Sequence, residues 1–199
     1  MDFFDLSNKL NFDEIDLTAP NIVVEKLVAQ IEMVTKGIVK GTVKSYSGHI
    51  VSYRKPVLSG LQAVINGLDQ EVDVQGSLGK IGDTASKFEF YLSTPAFEQY
   101  KFRICFFQFG VANYPVTVVM EQGIADCINN LPNSDYIISC INPKELEDLI
   151  VNIMYSKHII HIMQELIHIN QIYHNRNEEL GMIEEDKKNG ISNEDENTD

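Results

Sequence analysis

Four side chains of metal-binding type stand at helical spacing in the C-terminal third of the chain: His158, His161, Glu165 and His168, at offsets of three, seven and ten from the first. On an α-helix those offsets fall along one stripe, and imidazole and carboxylate groups are ligands that zinc and iron accept. One stripe supplies one wall of a metal centre, whereas a complete site draws ligands from a second element as well. No second cluster is evident, and the stripe points away from the apolar positions of the same segment, as a solvated polar face does. A metal-binding protein or an enzyme built on these four residues is therefore the alternative reading rather than the leading one.

A second constellation lies in YKFRICFFQF, residues 100–109. Strict strand alternation puts Lys101 and Arg103 on one face with Cys105, Phe107 and Phe109, and Tyr100, Phe102, Ile104 and Phe106 on the other. Lys101, Arg103, Phe107 and Phe109 then form a basic and aromatic face of the kind that meets a protein partner. Aromatic platforms beside cations also suit single-stranded nucleic acid, but that function needs a basic cluster, and this part of the chain has none. Binding of single-stranded nucleic acid ranks as the second alternative.

Other motifs fail on spacing. The loop Gly76-Ser77-Leu78-Gly79-Lys80-Ile81-Gly82 has neither the G-K-[ST] ending of a phosphate-binding loop nor the G-x-G-x-x-G pattern of a dinucleotide site. Neither G-x-S-x-G nor H-E-x-x-H occurs. Cys105, Cys127 and Cys140 are odd in number and lack a C-x-x-C pair, which argues against a disulfide framework and a zinc knuckle. A pairing of one of them with His49 has no local motif behind it, so they read as reduced, part-buried thiols. No catalytic residue is assigned, and no cofactor beyond the metal of the alternative reading.

The elements that must position these residues follow from periodicity and punctuation. Pro20, then Val24, Leu27, Val28 and Ile31, then Gly37 predict a helix over 21–36. IVKGTVKSY and HIVSYR around Ser47-Gly48 read as a hairpin, VLSGLQAVINGL as a short helix and EVDVQGS as a strand. In FEFYLS the residues Phe88, Phe90 and Leu92 share one face, and YKFRICFFQF and VTVVM read as neighbouring antiparallel strands across GVANYP. Asn142-Pro143-Lys144-Glu145 is a capping-box start. The helical region that follows, to about residue 174, turns its apolar stripe by roughly 140°, which two helices broken near Ser156 explain. The fold class is α+β: an N-terminal helix, a mainly antiparallel sheet of about five or six strands and a C-terminal helical pair.

Composition sets the domain plan. With 199 residues, 44% of them apolar, one core is the default. Of the net charge of −13, residues 1–16 carry −4 and residues 177–199 carry −7, leaving −2 between Leu17 and Arg176. The plan is an acidic N-terminal segment over 1–16, a single domain over 17–176 and a polar acidic tail over 177–199 too poor in apolar residues to order itself. A near-neutral folded part counts against a nucleic-acid mimic and against affinity for nucleic acid. No run reaches the roughly 18 apolar residues of a membrane span, and the acidic N-terminus is unlike a signal peptide, so the expected compartment is the cytoplasm, with no membrane partner. These absences leave a non-catalytic protein-binding domain: a cytosolic inhibitor, immunity-type protein or adaptor whose partner is another protein, or a second copy in a homo-oligomer. The sheet edge near Phe88 to Leu92 and the helical pair are its expected contact surfaces.

Overall fold

A computed structural model of the chain describes residues 18–54, 70–74 and 85–191. In chain order they form α1 (Pro20–Val34), β1 (Lys40–Ser45), β2 (Val51–Arg54), β3 (Gln70–Asp73), β4 (Ser86–Thr94), β5 (Phe97–Phe109), β6 (Val116–Met120), α2 (Gln122–Asn129), β7 (Ile137–Cys140), α3 (Pro143–Tyr155) and α4 (Lys157–Ile191). Five strands make one sheet in the order β1-β4-β5-β6-β7, with every neighbouring pair antiparallel, and β2 and β3 pair separately. This is the α+β arrangement that the periodicity predicts. The segments at 1–16, 57–68 and 76–82 lie outside the described residues.

Antiparallel register builds one continuous apolar face. Phe88 lies opposite Phe107, Phe90 opposite Cys105, Phe107 opposite Val118, and Val116 opposite Cys140. The Phe88 ring stacks on Phe107 at 5.4 Å and on Phe109 at 5.8 Å. Onto this face pack Val24 and Val28 of α1, Ile124 of α2, Leu146, Ile150 and Ile153 of α3, and Ile159, Ile162 and Leu166 of α4. The reverse face is covered more sparsely. Ile50 and Val74, flanking β2 and β3, bury Phe106 and Val119 there, the Tyr46 ring lies 4.7 Å from that of Phe106, and Ser52 Oγ donates to the Met120 carbonyl at 2.7 Å.

Three local features match the sequence closely. Glu145 N–H donates to Asn142 Oδ1 at 2.9 Å while Asn142 Nδ2 donates to Glu145 Oε1 at 3.0 Å, a reciprocal cap with Pro143 as the first helical residue. The helical pair breaks at Ser156, whose ψ of 144° is extended; its N–H donates to the Ile153 carbonyl and its own carbonyl accepts from Ile160. Phe88, Phe90 and Leu92 share the helix-covered face.

Elsewhere tertiary packing overrides the local pattern. β1 does not form a hairpin with β2; it pairs with β4, from Lys40 opposite Ser93 to Ser45 opposite Phe88, and Tyr46 N–H extends that ladder to the Lys87 carbonyl. Gly41 permits the close packing of this strand. A Cβ there would stand 2.5 Å from Val28 Cγ1 and 3.5 Å from the Phe90 ring, so β1 is drawn tight beneath α1 and committed to the sheet. β4 thereby becomes an interior strand, and the edges of the sheet are β1 and β7, not the stretch from Phe88 to Leu92. In β5 the register shifts between Phe90/Cys105 and Tyr91/Arg103, leaving Ile104 as the extra residue of a bulge. α4 runs on to Ile191, past residue 174 and through most of 177–199. Its docking onto the body ends sooner: Thr94 Oγ1 donates to Asn170 Oδ1 at 3.2 Å, both residues buried, and residues 171–176 are all exposed.

Replacing Gly41 by alanine overpacks the α1–β1 contact, and a loss of about 1–3 kcal/mol in unfolding free energy is expected from denaturant titration. Adding Val28→Ala relieves the contact, so the double variant is expected to lose less than the two single losses combined. Strict additivity would show that Gly41 is not held against Val28.

Candidate functional site

The helix layer leaves a groove on its outer side. α1 turns Val24 and Val28 to the sheet, and that leaves Leu27, Ile31 and Val34 facing α3. α3 likewise spends Leu146, Ile150 and Ile153 on the core, so that Met154 and Tyr155 flank the groove just before the break at Ser156. Ile160 and Met163 of α4 close the far end. The groove measures about 330 Å³, and among the described residues that line it none is charged and the polar ones are Gln30, Thr35 and Tyr155. The Thr35 hydroxyl is already committed, donating to the Ile31 carbonyl at 2.8 Å.

What distinguishes the groove is the apolar surface left in water at its rim. Val34 is 81% exposed and Tyr155 78%. Isolated exposed apolar side chains are ordinary, but a contiguous cluster at a concave site marks a place of association. The lining offers shape and apolar area rather than a nucleophile, a base or a ligand set. In sequence the groove is half legible: Leu27 and Ile31 belong to the amphipathic stripe of α1, but that Val34 and Tyr155 approach one another depends on how α1 packs on α3.

The four residues of the histidine stripe all lie exposed along α4. His161 Nε2 stands 3.2 Å from Glu165 Oε1, and the His158 ring packs 5.9 Å from that of Phe102. His168 joins neither contact. Among the described residues no three histidine, cysteine or acidic side chains converge into a group able to hold a metal ion.

The β5 set is divided by the bulge at Ile104. Phe107 and Phe109 are buried under the helices at 0% and 6% exposure, whereas Arg103 emerges on the reverse face with its guanidinium 4.4 Å from the Phe106 ring and Nε 3.6 Å from Glu89 Oε2. Lys101 Nζ lies 5.0 Å from the Tyr91 ring. Strict alternation places all four residues together; one extra residue in β5 separates the cations from the two phenylalanines, and both cations already have partners within the chain.

Cys105 and Cys140 are buried in the helix-covered core and Cys127 is half-buried, all three as free thiols. Burial, with a smaller contribution from Cys140, raises the Cys105 thiol from the ordinary 9.0 to about 12. Burial, then the Glu145 carboxylate, raises Cys140 to about 11. Both therefore stay protonated at neutral pH and offer no thiolate. His49, the base weighed as a partner for them, is exposed on the segment leading to Ile50, which packs against the opposite face of the sheet.

Because folding raises both values, the stability that these thiols support is fully present below pH 9.0 and is lost as pH climbs from there through about 11 and 12, the unfolded chain releasing its protons first. Native protein at pH 8 is expected to bind at most one equivalent of a thiol reagent, at Cys127, and unfolded protein three. Rapid titration of two or more thiols in the native state would contradict the burial of Cys105 and Cys140.

Comparison with protein-family models, with curated proteins and with solved structures finds no match for this chain. With no relative to lend an activity, the chemistry of the groove itself carries the functional reading.

Proposed function

We propose that this chain is a non-catalytic protein-binding domain, acting as an inhibitor, immunity-type protein or adaptor, and that it takes its partner in the apolar groove between α1, α3 and α4. The observation that supports this reading is the pairing of Val34 and Tyr155, both more than 70% exposed, on a groove with no charged lining residue among those described. Apolar area in water is a standing cost that association removes. A groove bordered by three helices suits an amphipathic helix of the partner, with apolar side chains at i, i+3 or i+4 and i+7 filling it in sequence. Tyr155 is the natural anchor, since a rigid aromatic ring with a polar tip contributes large contact area at low entropic cost. Action in the cytoplasm belongs to the same proposal and is supported by three cysteines that remain free thiols.

The test uses the full chain as bait in an extract of its native cells, beside a Val34→Glu, Tyr155→Glu double variant. Both positions are so exposed that the thermal midpoint is expected to stay unchanged. A partner retained stoichiometrically by the unaltered chain is expected to bind the variant at least about tenfold more weakly, the loss that truncating a central anchor brings. Equal retention by a fully folded variant would move the binding surface away from the groove.

A further inference from the structure

The two edges of the main sheet are treated differently by this sequence. An edge strand presents unpaired main-chain donors and acceptors, and proteins blunt such edges with lysine, proline, bulges or covering segments. β1 carries Lys40 and Lys44 and lies beneath α1. β7, with the sequence Ile137-Ile138-Ser139-Cys140, carries no charge, no proline and no bulge, and among the described residues it pairs with β6 alone.

The register says which groups of β7 are left over. Met120 N–H donates to the Tyr136 carbonyl at 3.0 Å, and Val118 lies opposite Ile138 and Val116 opposite Cys140. In an antiparallel ladder the hydrogen-bonded residues alternate, so Tyr136, Ile138 and Cys140 turn their main-chain groups to β6 while Ile137 and Ser139 turn theirs outward. The next N–H along, that of Ile141, is taken by Glu145 Oε2 at 2.9 Å, which ends the open edge at Ser139. Beside this edge runs an open groove of about 750 Å³, lined by residues of the preceding segment, Leu131, Ser134 and the charged Asp135 among them, and by Ile137, Ile138 and Ser139. Leu131 in its lining is 61% exposed, and Ile141, just past the end of β7, is 67% exposed.

We infer that β7 is a self-pairing edge: two copies of this chain join their sheets antiparallel at β7 about a two-fold axis through Ile138, giving one continuous ten-stranded sheet. Ile137 of each copy then lies opposite Ser139 of the other, so the groups left over on both edges satisfy one another, and Ile138 meets Ile138 of the second copy at the close, non-hydrogen-bonded position of the ladder. The charge pattern selects this occupant. The two-fold register centred on Ile138 brings no like charges together, since Asp135 falls opposite Ile141 of the second copy. The equivalent self-pairing of β1 about Thr42 sets Lys40 against Lys44 and is repelled. A two-fold contact uses the same patch on both subunits, and of the two edges β7 is the one whose patch is its own complement.

The test measures molar mass by sedimentation over a dilution series of the full chain, with Ser139→Pro and Ser139→Lys beside it. Ser139→Pro removes an N–H that β6 does not use, and Ser139→Lys gives β7 the protection that β1 already has. The unaltered chain is expected to dimerise, and both variants to raise the dissociation constant at least about tenfold, with the lysine variant partly restored by salt. Should the proline variant not fold, the lysine variant and amide exchange decide: the N–H groups of Ile137 and Ser139 are expected to exchange slowly in concentrated solution and fast on dilution. A chain that stays monomeric at about 100 µM, where interfaces of ordinary size are occupied, overturns the inference. So does a dimer that both folded variants retain, or one lost through Val34→Glu and Tyr155→Glu alone, which would place self-association in the helix groove.

Discussion

Double coverage of β5 is the constraint on which the other elements depend. Its C-terminal half puts Cys105, Phe107 and Phe109 on one side and Phe106 on the other, all essentially buried. Burying apolar area of this size is the dominant favourable term available to the chain, and a single antiparallel sheet cannot provide it from its own strands. Helices must therefore cover one face and a second pair of strands part of the other. The chain supplies α1, α3 and α4 from both ends of the sequence for the first task and the short β2–β3 ladder from its middle for the second. The unequal cover follows from the side chains: five rings of β4 and β5, those of Phe88, Phe90, Phe102, Phe107 and Phe109, face the helices, while on the reverse side Phe106 is flanked by Arg103 and Gln108.

The bulge at Ile104 serves the same constraint. Past it the alternation of β5 is reset, so that Phe102 lies opposite Leu92 on the helix side and Arg103 lies opposite Tyr91 on the other. Without the extra residue, Arg103 would point into the helix-covered core, where a charge without a partner is heavily penalised. With it, the guanidinium reaches Glu89 and the Phe106 ring at the margin of the reverse face, one third exposed. A bulge thus lets one strand carry a continuous apolar surface and two cations.

These causes also explain which parts of the fold could be read in advance. α1, the capping box at Asn142 and Glu145, the break at Ser156 and the β5–β6 pair are set by residues within a few positions of one another, and propensity, capping and period act at that range. The bulge is invisible to periodicity because Ile104 is apolar on either alternation. The β1–β2 hairpin suggested by Ser47-Gly48 gives way to a six-pair ladder between β1 and β4, a pairing across about 40 residues that local signals do not encode. α2 and β7 are too short to impose a period of their own; β7 has four residues. The spacing of the four histidine and glutamate residues predicts a stripe, and all four lie exposed along α4. A second wall of ligands is a property of packing and not of spacing.

The same layering keeps the two proposed surfaces apart. α3 begins just past the end of β7 and finishes at Tyr155 in the helix groove, a helix of 13 residues and roughly 20 Å in length. A dimer paired at β7, as inferred above, would present two helix grooves, and a partner with two helical segments, or one that is itself two-fold, would gain avidity without any new contact in either groove. The span between the grooves is fixed by sheet geometry and not by a flexible linker, so that gain falls to partners whose own spacing matches. In such an assembly, specificity resides in the distance between two ordinary apolar sites more than in the chemistry of either.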